Sequence, residues 1–392
     1  MNRWVSLIGA ILLGLLLLVW PYIDLELAAP IGRWAFNAPL ADLAALLLAP
    51  LGAFSLLAVG LPPSARRPLM LAASGYAVLL AAGLVGALVS NEAAAALHEW
   101  VRKPLFFGLV YGVGVAGWML TTERTEAARR GLVVAVAVCT AVSLVTSAGR
   151  ILAGDTLWFQ DVQGLTNNHK TLAVALAPAL PLLWGWPGHV PDRLTKTVVA
   201  LGALGLVASM SRTAWISAAV AASFFVMWRG RPLAALRGLV PALLVIGVLA
   251  ATYGHRVTGS LAQKDALRSR HSLDKRAWSL WVESPLHGAG PGASVRAEVS
   301  TFPDYRVNGV DAHGVIQKVG SEYGVVGLSG LFATIGALGL ALGRRHRVGE
   351  GLWPAFLALH VNLLFSTETF SQTHWAILAL VLGLGFRARA GP

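Results

Sequence analysis

Apolar runs long enough to cross a membrane recur along this chain and are separated by short polar stretches. A helix rises 1.5 Å per residue, so about 20 apolar residues cross the roughly 30 Å of hydrocarbon in a bilayer. Twelve runs can be drawn: Trp4 to Ile23, Leu40 to Leu61, Leu69 to Ser90, Pro104 to Leu120, Gly131 to Gly149, Lys170 to Trp186, Thr197 to Met210, Thr213 to Trp228, Ala235 to Tyr253, Glu322 to Gly343, Leu352 to Thr367 and Thr373 to Phe386. The pattern predicts an all-α polytopic membrane protein of about twelve transmembrane helices.

Composition excludes a soluble protein, because 56% of the residues are hydrophobic and only 13% are charged, against about a quarter charged in soluble domains. The first run resembles a signal peptide, but it lacks a small-residue cleavage site before Pro21, so we predict a retained helix. The single cysteine, Cys139, lies within an apolar run and leaves no disulfide framework or cysteine-based metal site.

The net charge of +12 could indicate nucleic-acid binding, but the positions of the cations indicate membrane topology instead. With the N-terminus in the cytoplasm, sixteen lysines and arginines fall inside and six fall in short outer loops, as the positive-inside rule requires. The inner set is Arg3, Arg66, Arg67, Arg124, Arg129, Arg130, Arg193, Lys196, Arg229, Arg231, Arg237, Arg344, Arg345, Arg347, Arg387 and Arg389. The outer set is Arg33, Arg102, Lys103, Arg150, Lys170 and Arg212. We therefore expect membrane lipids, and no nucleic acid, as partners.

One long hydrophilic stretch, residues 254–321, falls on the periplasmic side in this topology. It divides the chain into helices 1–9 (residues 1–253), a periplasmic loop domain containing short helices (254–321) and helices 10–12 (322–392). Long structured loops in compact domains are usually functional. We therefore expect the chemistry of the protein to reside in this loop.

The loop contains a basic cluster followed by a tryptophan-rich segment. Arg268 and Arg270 could bind phosphate oxygens through bidentate hydrogen bonds. Equally, the segment could be an interfacial helix whose cations meet lipid headgroups, with Trp278 and Trp281 at the membrane boundary. The glycine-rich sequence from His287 to Ser294 follows no predicted strand and lacks a P-loop ending, so a turn at the membrane surface is favoured over a phosphate loop.

Other candidate site residues are polar groups near the predicted outer ends of helices. Arg212 lies between two apolar runs, where an arginine either snorkels or marks a site. At the mouth of the sixth helix the chain places Asn167, Asn168, His169 and Lys170, suited to sugar hydroxyls or phosphate, although asparagine also caps helices. His313, preceded by Asp311, could act as a general base, but on spacing alone a structural histidine is the simpler interpretation.

Together these segments resemble the O-antigen ligase and polymerase superfamily. Its motif of His, often Asn, Ser or Gln, nine residues and Gly-x-x-Gly corresponds here to His313, Gly314, nine residues and Gly324 to Gly327, with a departure at Gly314. Ser211-Arg212 resembles the family's Ser-Arg at its eighth helix. Ser269-Arg270 with Pro285 to Gly288 resembles its Ser-Arg, Pro-Leu-x-Gly block, and Gly164 to Lys170 resembles its Gly-x-x-Asn-x-Asn turn.

The resemblance implies a GT-C-like glycosyltransferase of the inner membrane, with its active site on the periplasmic face. It would transfer a glycan from undecaprenyl diphosphate to a sugar hydroxyl of lipid A-core by inverting displacement, without metal or cofactor. The motif histidine, His313, would be the base, and Arg212 and Arg270 would bind the diphosphate, assisted by Arg268 and Lys170. From its position, Asp311 could orient the imidazole or contact the substrate. Other candidate bases in the loop are His271, His287, Asp274, Glu283, Asp304 and Asp311. The same motifs occur in polysaccharide polymerases and protein O-oligosaccharyltransferases, and a transporter of lipid-linked glycan is the non-enzymatic alternative.

Overall fold

The structure is a computed structural model. It describes residues 3–19, 26–31, 34–61, 63–121, 125–153, 169–209, 211–228, 264–296, 300–302, 305–306, 314–345, 350–365 and 371–386. The predicted sixth-helix mouth residues Asn167 and Asn168, the predicted ninth span at 235–253, and Asp311 and His313 lie outside this set.

The described chain is predominantly helical. Its helices are α1 (Arg3–Val19), α2 (Leu40–Val59), α3 (Pro63–Val89), α4 (Ala93–Trp100), α5 (Ala116–Thr121), α6 (Thr125–Leu152), α7 (His169–Trp184), α8 (Arg193–Ala208), α9 (Arg212–Trp228), α10 (Lys264–Glu283), α11 (Ala293–Arg296), α12 (Val315–Arg345), α13 (Leu352–Phe365) and α14 (Gln372–Phe386). Two π-helical segments, Val101–Leu105 and Phe107–Val115, join α4 to α5. Two antiparallel strand pairs complete the elements: β1 (Glu26–Ile31) with β2 (Trp34–Pro39), and β3 (Ser300–Phe302) with β4 (Tyr305–Arg306).

Four helical stretches are long and apolar enough to cross a membrane: Ala65–Val89, Ala93–Leu120, Thr125–Thr146 and Val315–Arg344. Five shorter apolar helices accompany them, at Asp42–Ala58, Leu172–Trp184, Thr213–Phe224, Leu352–Phe365 and His374–Phe386. The protein is therefore a helical membrane protein, as its hydropathy predicts. The number of twelve spans and the periplasmic loop stay predictions.

Two of the apolar runs belong to longer helical stretches than hydropathy indicated. The run beginning at Pro104 continues a helical stretch that starts at Ala93. Within that stretch Arg102 and Lys103 pair with the carboxylate of Glu99 at 3.7 and 2.7 Å. The run beginning at Glu322 belongs to α12, which starts at Val315. In both stretches charged residues lie in the helical segment ahead of the apolar run.

The most extensive helix packing among the described residues is that of α3 against α12, and glycine makes its close approach possible. A Cβ atom on Gly75 would lie 2.9 Å from the carbonyl oxygen of Gly330, and a Cβ on Gly330 would lie 2.6 Å from the carbonyl oxygen of Gly75. Small residues at such crossings let helix backbones touch, which is how helices associate in lipid. Thr334 adds a hydrogen bond from its hydroxyl to the carbonyl of Ala72, at 3.1 Å.

A second group of helices, α7, α9 and α13, packs together beside this pair. The backbone N–H of Gly351, just before α13, donates to the carbonyl of Gly185, just after α7, at 2.6 Å. The end of α7 therefore meets the start of α13, and the two helices run antiparallel.

At that same level the N-terminus of α8 is capped by Asp192, whose carboxylate accepts the N–H of Thr195 at 2.7 Å. This hydrogen bond lowers the pKa of the exposed Asp192 carboxyl below its ordinary value. Arg129 of α6 donates to the hydroxyl of Thr195 at 3.0 Å, which ties α6 to α8.

Candidate functional site

The helices bring several of the predicted site residues to defined positions on the backbone. His169 and Lys170 are the first two residues of α7, and Arg212 is the first residue of α9. Arg268 and Arg270 lie in the first two turns of α10. The structure thus places every described member of the predicted set at or near the beginning of a helix.

The beginnings of α7 and α9 are held together by one buried asparagine of α13. The hydroxyl of Ser217 donates to Oδ1 of Asn362 at 2.6 Å, and Nδ2 of Asn362 donates to the carbonyl of Val174 at 3.4 Å. Lys170 precedes Val174 by four residues, and Arg212 precedes Ser217 by five. Each cationic residue therefore lies about 6 to 8 Å from the Asn362 contact, toward the N-terminus of its own helix. Both cationic residues therefore stand at the same end of the bundle.

The histidine motif reaches this end as well. Gly314, the residue after His313 in the motif, lies against the C-terminal turn of α13, because a Cβ on Gly314 would come within 2.8 Å of the carbonyl oxygen of Leu364. We call the end of the bundle where α7, α9 and α12 begin and α13 ends the motif end. The fold thus brings Lys170, Arg212 and Gly314, which are far apart in the sequence, to the same end of the bundle.

The departure from the family motif at Gly314 has a conformational reason. Its φ is +106°, in a region that side-chain-bearing residues rarely adopt. Its carbonyl accepts the N–H of Lys318 at 3.1 Å, which is the first backbone bond leading into α12. Glycine therefore suits the turn that starts the helix.

Helix α12 is interrupted at Gly324, which has φ +66° and ψ −170°. In an unbroken helix the N–H groups of residues 325 and 326 would donate to the carbonyls of residues 321 and 322. Here these two N–H groups and these two carbonyl groups bond instead to the segment Pro285–Gly290. The four bonds are Val325 N–H to Pro285 O at 2.8 Å, Val326 N–H to Leu286 O at 3.2 Å, Ala289 N–H to Ser321 O at 2.8 Å and Gly290 N–H to Glu322 O at 3.2 Å.

These bonds make one structural unit of two motif blocks that are separate in the sequence. Glycine is needed on both sides of the contact: a Cβ on Gly324 would overlap the backbone of Leu286, and a Cβ on Gly288 would overlap the backbone between Glu322 and Tyr323. Breaking a helix inside an apolar bundle would leave costly unpaired backbone groups. The Pro285–Gly290 segment supplies their partners, so the Pro-Leu-x-Gly and Gly-x-x-Gly motifs are explained by packing.

A buried polar cluster lies beside the break, and the motif comparison did not single it out. The hydroxyl of Ser294 donates to Oε1 of Glu322 at 2.6 Å. Glu322 is 2% exposed, Lys318, one turn earlier, is 4% exposed, and Ser321 is fully buried. The spacing of Lys318 and Glu322 by four residues, within an otherwise half-apolar segment, was the signal in the sequence.

Removing the hydroxyl of Ser294 should weaken the attachment of the loop to α12. We expect Ser294→Ala to destabilise the protein by about 1–3 kcal/mol, because a buried carboxylate loses a hydrogen-bond donor. The melting temperature of purified protein in detergent measures this, with Ser329→Ala as control. The hydroxyl of Ser329 is on the exposed face of α12 and donates to the carbonyl of Val326 at 2.8 Å. Equal losses in the two variants would contradict a stabilising role for the contact.

The basic helix α10 is fixed onto α12 by its apolar face. Leu273, Ala277 and Leu280 are buried, and the ring of Trp281 lies against Gly320, where a Cβ would come within 2.6 Å of it. Arg270 precedes Leu273 by three residues, which continues the same face by one turn. The backbone of Arg270 is thereby held relative to the start of α12.

Two further histidines, His360 of α13 and His374 of α14, lie inside the bundle with ring centroids 5.5 Å apart. Nδ1 of His360 contacts the carbonyl of Phe356 at 2.7 Å, and His374 is 4% exposed. Among the residues that the structure describes, no cluster of His, Cys, Asp or Glu side chains is arranged to hold a metal ion.

Residues 197–332, which contain most of these features, match the family model described as O-antigen ligase. The match begins in α8, includes Arg212, Arg270 and His313, and ends just after the Gly324 break. No curated protein matches the chain. The match confirms the resemblance drawn from the motifs, and the protein carries, over residues 197–332, the domain of the O-antigen ligase family.

Proposed function

We propose that the protein is an O-antigen ligase that transfers a glycan from undecaprenyl diphosphate to a sugar hydroxyl of lipid A-core. The observation that carries this proposal is the match of residues 197–332 to the O-antigen ligase family model. Within that segment, Arg212 and Gly314 both lie at the motif end. The donor is a lipid diphosphate, and its recognition calls for cations at a membrane surface.

In the proposed reaction the acceptor oxygen attacks the anomeric carbon of the donor glycan from the side opposite the diphosphate. The bond between that carbon and the diphosphate oxygen breaks, undecaprenyl diphosphate leaves, and configuration inverts. The proton of the acceptor hydroxyl passes to His313, with Asp311 orienting the imidazole. Asn167, Asn168 and His169 are proposed contacts of the sugars.

The charge that develops on the leaving diphosphate needs stabilisation, which is commonly the largest electrostatic contribution to such a transfer. We assign this role to Arg212 and Arg270, with Arg268 and Lys170 assisting. Support comes from the shared position of Lys170 and Arg212 at the motif end and from the attachment of α10 to α12. In this scheme arginine provides the charge for which other transferases use a metal ion.

Replacing either arginine by lysine should impair transfer although the charge is retained. Lysine is a point charge and cannot form the bidentate pair with phosphate oxygens. Loss of one charge-assisted hydrogen bond costs about 1.5–3 kcal/mol, so we expect Arg212→Lys and Arg270→Lys to lower turnover by roughly 10- to 100-fold. The control is Arg130→Lys, at a side chain that is 76% exposed and pairs with Glu126 in α6. Unchanged turnover in both variants would refute bidentate binding.

We further propose that the protein spans the bacterial inner membrane twelve times with the motif end in the periplasm. Support comes from the charges of the opposite end, where Arg66 and Arg67 in α3, Arg193 and Lys196 in α8, and Arg344 in α12 lie. Such an excess of cations marks the cytoplasmic side. A cysteine near Arg270, in a Cys139→Ala background, should react with an impermeant reagent added from the periplasm; labelling only from the cytoplasm would reverse the orientation.

An assay in detergent micelles, without a membrane, distinguishes a transferase from a transporter of the lipid-linked glycan. Purified protein in detergent micelles, given donor and lipid A-core, should form a covalent glycan–lipid A-core product, because transfer needs no second compartment. A transporter would leave the donor unchanged under these conditions.

A further inference from the structure

Helix α10 carries a stripe of exposed side chains on the face turned away from α12. Trp278 is 62% exposed, Val282 is 63% exposed and Leu286, in the turn after the helix, is 63% exposed. Lys275 lies on the same stripe and is also exposed. At 100° per residue, Lys275, Trp278 and Val282 fall within roughly 60° of one another around the helix.

Along this stripe the chemical character changes in one direction. A lysine comes first, a tryptophan follows one turn later, and two aliphatic residues, Val282 and Leu286, complete it. Charged headgroups, an aromatic belt and hydrocarbon succeed one another in the same order across a membrane interface. Glu283 is exposed at the edge of the stripe.

The apolar end of the stripe is continuous with the exposed surface of the spanning helix α12. The carbonyl of Leu286 accepts the N–H of Val326 at 3.2 Å, so these two residues are adjacent. Val326 is 41% exposed and Val325 is 47% exposed, and further along α12 Leu340 is 67% exposed. A surface that faces lipid along α12 therefore extends, through Leu286, onto α10.

The two tryptophans of α10 have different environments, although they are neighbours with ring centroids 5.4 Å apart. Trp281 is partly buried and packs against Gly320 of α12, whereas Trp278 points outward and is mostly exposed. Trp281 thus attaches α10 to the bundle. Trp278 has the amphipathic ring that favours the headgroup level of a bilayer.

We propose that Lys275, Trp278, Val282 and Leu286 form a membrane-docking surface that lies in the bilayer leaflet at the motif end, with lysine among the phosphates and the aliphatic side chains among acyl chains. The occupant of this surface is the surrounding lipid of that leaflet. The surface would keep α10, and with it Arg268 and Arg270, at headgroup depth. That last consequence rests on the proposed function, because a lipid-linked diphosphate lies at the same depth.

The depth of each residue can be measured without any assay of transfer. Single cysteines replacing Lys275, Trp278, Val282 or Leu286, in a Cys139→Ala background, are labelled with an environment-sensitive fluorophore and reconstituted in phosphatidylcholine–phosphatidylglycerol vesicles. Lipids with a nitroxide on the headgroup or at mid-chain then quench the fluorophore. Phe332→Cys, near the middle of α12 at a side chain that is 43% exposed, serves as the hydrocarbon reference. Arg193→Cys, at the exposed first residue of α8, serves as the water reference.

We expect mid-chain nitroxide to quench the labels at 282 and 286 at least twofold more than the label at 275, and headgroup nitroxide to give the reverse order. Quenching at 278 and 282 no greater than at 193 would overturn the proposal. A blue-shifted label that no nitroxide lipid quenches, and that cross-links between chains, would assign the surface to a second copy instead. Quenching that disappears when polyisoprenyl diphosphate donor is added would assign it to the donor tail, and would equally overturn it.

Discussion

His313→Ala should lower turnover by roughly 10²- to 10⁴-fold while binding of the lipid-linked donor is retained. A sugar hydroxyl ionises far above neutral pH, and a positioned base contributes about this factor to its activation. An imidazole has an unperturbed pKa near 6.5, so it is largely able to accept a proton at neutral pH. Turnover and donor binding are measured separately on the same purified protein.

The matched control for this variant is His98→Ala, because His98 is an exposed histidine of α4 that the proposal does not use. Near-normal turnover of His313→Ala would eliminate the base and favour a structural histidine. A variant that folds but no longer binds donor would also contradict the assignment, since it would place His313 in donor recognition.

Gly324→Ala should destabilise the protein by about 3 kcal/mol or more, which is the size of a severe core defect. The φ and ψ of Gly324, +66° and −170°, lie in a region that is essentially restricted to glycine and costs other residues of order 1–3 kcal/mol. The added Cβ would also overlap the backbone of Leu286. The four backbone bonds between α12 and the Pro285–Gly290 segment should then be lost together.

Gly336→Ala is the control, because it adds the same methyl group to the same helix where no atom lies within 4 Å of the new Cβ. We expect this change to be neutral or slightly stabilising, since alanine favours helix over glycine by about 0.5–1 kcal/mol. Melting temperatures in detergent and the yield of folded protein measure both variants. Equal stability of the two would show that the break at Gly324 is not enforced by its glycine.

Hydropathy alone predicted the membrane class and most helix positions, because transfer of apolar residues into lipid dominates where such helices form. It starts one apolar run at Pro104, although the helical stretch begins at Ala93, because it counts Arg102 and Lys103 as unfavourable. The carboxylate of Glu99 forms ion pairs with both cations, and these contacts are invisible to a sum over single residues. Charge pairing inside a helix thus lets the helix extend beyond the apolar run that hydropathy marks.

The motifs located these glycines, but the sequence does not reveal what they do. The break at Gly324 depends on a segment that lies 34 to 39 residues earlier in the chain, at Pro285–Gly290, and such a non-local exchange of backbone partners has no periodic signature. The same applies to Glu322, which was counted only as the first residue of an apolar run and is a buried acceptor for Ser294. Similarly, Trp278 and Trp281 appear equivalent in the sequence, and only packing against Gly320 separates them.

The most direct test of the proposed function is the identity of the acceptor in a defined reaction. Purified protein is incubated with undecaprenyl-diphosphate-linked glycan, with and without lipid A-core, and His313→Ala serves as the blank. The proposal predicts that glycan appears on lipid A-core only when that acceptor is present and that the blank forms little or none. Lengthened lipid-linked glycan, with none on lipid A-core, would contradict the proposal and identify the protein as a polymerase.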